Sequence, residues 1–139
     1  MLSGTLLGRE GPSTTLREAI GHLLNGRGGL VLVAGEAGIG KSALVTTAAE
    51  EASRRGVRVL SGACWEGQGA PGYWPWVQVA RGIERAAHEE WPELRAAAGE
   101  GLARLLGERS GEVRLKAADE SGFLVYDAVT RLVIGTARD

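Results

Sequence analysis

The chain has 139 residues, 44% of them hydrophobic and 24% charged, with a formal net charge of −1. That length supports one domain with a real core. The near-neutral balance and scattered arginines exclude the electrostatic footprint of a nucleic-acid or anionic-membrane binder. No apolar run approaches the ~20 residues of a membrane helix, Met1-Leu2-Ser3-Gly4-Thr5 lacks the regions of a signal peptide, and the single cysteine, Cys64, allows no disulfide framework or thiolate cluster. The expectation is a soluble cytoplasmic chain with no membrane contact and no direct nucleic-acid binding.

In chain order, Ser13 or Thr14 is a candidate cap for a helix carrying Leu16, Ile20, Leu23 and Leu24 on one stripe, ending between Asn25 and Gly29. Leu30-Val31-Leu32-Val33-Ala34 reads as a buried parallel strand, apolar and β-branched. Ala43 to Arg55 reads as a helix with Leu44, Ala48 and Ala52 on one face. Val57-Arg58-Val59-Leu60-Ser61 reads as a second strand, making 30–61 a βαβ unit. Five of the seven aromatic residues then fall between 65 and 91: Trp65, Tyr73, Trp74, Trp76 and Trp91. They suit either a packed subdomain and helix start or a surface that stacks on an adenine or a partner.

The remainder, 62–139, reads as mostly helical. Val77 to Glu90 and Glu93 to Leu106 are amphipathic, with Pro92 at a first-turn position. Gly107 to Glu112 is a polar break. Glu120 to Val133 is helical again, with Leu124, Ala128 and Leu132 in register. His22 and His88 have no partners at ligand spacing and read as helix-surface residues.

Between the first strand and its helix stands Gly35-Glu36-Ala37-Gly38-Ile39-Gly40-Lys41-Ser42, a match to G-x-x-x-x-G-K-[ST]. Glycines at 35, 38 and 40 let the backbone fold so that successive N–H groups face phosphate oxygens. The first turn of the following helix, through Ala43, adds unpaired amides and a positive dipole end. Lys41 is placed to reach the β and γ phosphates, and the Ser42 hydroxyl to ligate Mg²⁺. Chance is a poor explanation. The chain has only two lysines, Lys41 and Lys116, against fourteen arginines, and its own frequencies give roughly one accidental match per two hundred such chains. The fold class that follows is α/β: a P-loop NTPase fold with a partial parallel sheet of two to three strands flanked by helices.

Gly8-Arg9-Glu10, the run Val31 to Ser42, Cys64-Trp65-Glu66-Gly67 and Ala70-Pro71-Gly72-Tyr73-Trp74-Pro75-Trp76 together resemble one recognisable series. It is similar to the AAA-like ATPase domain of large bacterial STAND-type regulators, including LuxR-type transcriptional activators, over most of residues 6–131. The resemblance implies ATP and Mg²⁺ binding in a signalling switch, with Gly8 and Arg9 near the adenine or ribose. It also exposes a departure. In such domains a helix like 121–131 precedes the strand bearing the Walker B acids, and only later comes a strand ending like Val133-Ile134-Gly135-Thr136-Ala137-Arg138-Asp139. Here the two segments are fused, so the chain reads as a single truncated ATPase domain over 1–139.

The one lookalike for the missing acid is Asp127, after Phe123-Leu124-Val125-Tyr126, but the helical period continues through it. Hydrolysis is therefore not expected of this chain alone. Two alternatives stand beside that reading. One is a competent small ATPase using Asp127 or a partner chain; the other is a non-catalytic interaction fragment or decayed gene product. A narrow sheet would also leave an exposed edge for self-association or a protein partner.

Overall fold

The computed structural model describes residues 10–64, 72–108 and 118–137. Among them are six helices: α1 Glu10–Leu24, α2 Lys41–Arg54, α3 Trp74–Ala86, α4 Trp91–Ala98, α5 Glu100–Leu105 and α6 Ala118–Thr136. No strand occurs among the described residues, which overturns the expected α/β fold, its parallel sheet and its βαβ unit at 30–61. Leu30–Ala34 and 57–61 carry no regular structure. Leu30 and Leu32 are 84% and 83% exposed, and Val31 and Val59 are exposed as well. A β-branched run gains from extension only when a neighbouring chain pairs its amides and covers its side chains. Among the described residues no segment pairs with either run as a strand, and only Leu60 packs against a core, so the expected sheet edge for self-association falls with the sheet.

Two compact units divide the chain, Met1–Val59 and Leu60–Asp139. In the first, α1 begins at Glu10 rather than behind a cap at Ser13 or Thr14, which lie inside it. Pro12 in its first turn costs no helical hydrogen bond. Ile20, Leu44 and Ala52 are its buried apolar side chains among the described residues. Arg17 on α1 donates to Glu51 on α2 at 3.2 Å, tying the pair at the surface. Leu23 and Leu24, expected on the buried stripe of α1, are about half exposed.

The second unit holds the larger core. Val77, Ala80 and Ile83 of α3, Trp91 and Ala98 of α4, Leu102 and Leu105 of α5, and Val125, Ala128 and Leu132 of α6 pack together. Trp74-Pro75-Trp76 starts α3 and Trp91 starts α4, so these rings serve helix starts. Trp65 lies outside the described residues. The single helix expected over Glu93 to Leu106 is two, because the chain turns at Gly99.

At Gly101 the backbones of α5 and α6 come so close that a Cβ there would lie 2.0 Å from Leu124 O. Asp127 sits within α6 and accepts from Arg131 Nε at 2.8 Å, the helix-surface role its periodicity implied. Residues 133–136 continue the same helix, so that part of the tail is not the later strand its sequence resembles, and Arg138 and Asp139 lie outside the described residues. His22 is exposed on α1, whereas His88 is exposed in the turn after α3.

Candidate nucleotide-binding site

The glycine loop runs from Gly35 to Gly40 and delivers the chain to the N-terminus of α2. Gly38 and Gly40 have φ of 77° and 88°, left-handed conformations that side-chain-bearing residues rarely adopt. Gly40 is the N-cap residue of α2, with no side-chain cap. Leu44 donates to Gly40 O at 3.1 Å, and the amides of Lys41, Ser42 and Ala43 precede that bond in the first turn. No acidic residue occupies the turn, so the positive end of the helix dipole is not offset locally. At Gly35, a Cβ would meet Ile39 Cγ2 at 3.1 Å, which tightens the loop's entrance to any larger residue.

Lys41 closes the loop on itself. Its Nζ donates to Gly35 O at 2.7 Å and to Glu36 O at 2.6 Å, folding the ammonium back over the turn it follows. Ile39 N donates to Glu36 O at 3.4 Å and braces the same turn. Glu36, Ala37, Gly38 and Ile39 are exposed, as are Ser42 and Ala43 at the helix start. Beside Lys41 lies a cleft of about 530 Å³ lined by Pro12, Thr15 and Leu16 of α1, by Val31 to Ala34, and by Ile39 and Leu44. That volume is within the range of small-molecule sites.

The structure thus brings Gly35 through Ala43 into one loop and helix start, exposed except for the half-buried Gly40 and Lys41. Gly8 and Arg9 lie outside the described residues. Sequence reasoning missed the two carbonyls that hold Lys41, and no side-chain pattern could have revealed them, because backbone atoms make the contact. Among the described residues no group of three or more His, Cys, Asp or Glu side chains is arranged to hold a metal ion. No described helix is long and apolar enough to cross a membrane.

Chemically, the arrangement suits an anion: clustered amides, a helix start without a side-chain cap and an ammonium held by two neutral acceptors. The chain belongs to the AAA ATPase domain family, whose model matches residues 5–139. Its class is therefore that of nucleotide-binding, ATPase-like domains. No curated protein and no solved structure matches the chain.

Proposed function

We propose that this chain is an ATP·Mg²⁺-binding module of the kind found in STAND-type regulators, with turnover near background. The observation that carries the reading is the Lys41 loop: an ammonium held by Gly35 O and Glu36 O at the start of a helix that no side chain caps. Phosphate oxygens would replace those carbonyls as charged acceptors, a stronger partner for the same donor. The amides of the first turn would complete the cradle, and the adjoining cleft supports a nucleoside beside the phosphates. The residues fit Mg²⁺ in one respect: the exposed Ser42 hydroxyl would hold the ion, which would supply positive charge against the phosphates.

Titration of the purified chain with a fluorescent ATP analogue, with and without Mg²⁺, tests the proposal. Saturable binding is expected, and its absence refutes the reading. Ser42→Ala is expected to weaken binding when Mg²⁺ is present and to change it little without the metal. Equal losses in both conditions would contradict the metal role.

The expectation of low turnover is supported by the surroundings of Asp127, whose carboxylate accepts from Arg131 one turn along α6 in an ion pair on the helix. In P-loop enzymes catalysis is mostly positioning and charge stabilisation, so a cradle alone leaves bound ATP largely intact. Phosphate release is therefore expected near background, and Asp127→Asn should not alter it. A clear rate that falls strongly with Asp127→Asn would show that the carboxylate has a catalytic role.

A further inference from the structure

The cleft beside Lys41 has walls that are almost wholly apolar. Leu16 of α1, Val31 and Leu32, Ile39 of the loop and Leu44 of α2 line its volume of about 530 Å³. Leu32 is 83% exposed and Ile39 51% exposed, so the walls carry apolar surface that a flat ring would cover. Among the lining residues only Thr15 and Lys41 have polar side chains. Lys41 is the donor that the phosphates claim. Thr15 donates its hydroxyl proton to Gly11 O at 3.2 Å, one turn back along α1, and keeps only an acceptor for the cleft.

Adenine and guanine share a ring system and differ in the polar groups on its edge. Telling them apart takes a fixed donor or acceptor that one base satisfies and the other leaves unpaired, and such a site rejects the wrong ligand by about 10⁴–10⁵-fold. The Thr15 oxygen serves either base, because each carries an N–H on its edge. The backbone of Val31 to Ala34 serves either as well. None of its amides or carbonyls enters a backbone hydrogen bond among the described residues, so it presents donors and acceptors together. Apolar walls respond to the size of a ring and little to its polar substituents.

We propose that the site takes purine nucleoside triphosphates as a class, binding GTP as readily as ATP, with the base held in this cleft by apolar contact. This class rests on the ATP-binding reading and names what the base half of the site selects, which is ring size. A single pyrimidine ring covers less of Leu16, Leu32 and Ile39 than a fused purine does, and the lost contact is worth roughly severalfold in affinity.

Calorimetric titration of the full chain with ATP, GTP, UTP and tripolyphosphate, each with Mg²⁺, tests the proposal. ATP and GTP are expected to agree within about threefold, and UTP to bind more weakly than both by a larger factor. A wider gap between ATP and GTP, or UTP within that range of either, would overturn the proposal and leave ATP binding standing. Absence of binding by all four ligands would instead refute the ATP-binding reading itself. Thr15→Trp places a ring in the cleft from an exposed position of α1. It is expected to retain the helical circular dichroism, to weaken ATP and GTP alike by about tenfold, and to leave tripolyphosphate affinity within about threefold. In the folded variant, ATP and GTP binding unchanged, or tripolyphosphate weakened as much as they are, would place the base outside the cleft and overturn the proposal.

Discussion

A Lys41→Ala protein is expected to bind ATP ten- to a hundredfold more weakly than the parent while melting at nearly the same temperature. The two halves of that result have separate causes. The Lys41 side chain contributes no apolar core contact; its ammonium donates to Gly35 O and Glu36 O in an exposed loop. When the side chain is removed, water can take both carbonyls, so no buried polar group is left unpaired. The stability change should stay within about 0.5 kcal/mol, as for other surface substitutions. Binding is different, because a charge-assisted contact to phosphate is worth about 1.5–3 kcal/mol. At RT ln 10 per decade this is roughly the stated loss in affinity. Titration of the folded variant with the fluorescent analogue measures it, and an unchanged dissociation constant would remove Lys41 from the site.

The largest stability effect is expected at Gly101. A methyl group there would lie 2.0 Å from Leu124 O, 2.7 Å from Leu124 C and 2.8 Å from Ala128 Cβ. The first two are backbone atoms of α6, which cannot turn aside as a side chain can. Gly101→Ala must therefore push α5 from α6, opening the layer where Leu102 and Ala128 are fully buried. Overpacking of this kind costs about 1–3 kcal/mol. Gly21→Ala is the control. It lies inside α1 with no atom within 4 Å of the added methyl, and it should stabilise its helix by about 0.5–1 kcal/mol. All four tryptophans fall between 65 and 91, so tryptophan fluorescence during urea unfolding reads Gly101→Ala in the second unit, and helical circular dichroism reads Gly21→Ala in the first. A Gly101→Ala midpoint equal to the parent's would show that the helices can separate at no cost.

These two predictions rest on different kinds of information. The Lys41 loop was legible in the sequence because its chemistry is local: eight consecutive residues carry the turn, the cation and the helix start. The helices were legible for the same reason. Each is closed by hydrogen bonds within its own segment, so the spacing of Leu44, Ala48 and Ala52, or of Leu124, Ala128 and Leu132, was enough to place them. The helical role of Asp127 came from the same periodicity. The sequence match over residues 5–139 likewise establishes the AAA ATPase domain family.

What the sequence could not decide was everything that depends on a distant partner. Leu30 to Ala34 has the composition of a buried strand, yet a strand's hydrogen bonds belong to another segment, and no described segment pairs with it. The turn at Gly99 was signalled by two glycines in three residues, but a 3.6-residue period reads through such a break. The close approach at Gly101 is invisible without α6 beside it. The seam of Phe123, Tyr126 and Val133 has the same spacing as the buried seam of α6, and periodicity alone gives both faces equal claim to the core. Only packing decided which face was covered within the second unit: Val125, Ala128 and Leu132 join the core that α4 and α5 build, and Phe123, Tyr126 and Val133 do not.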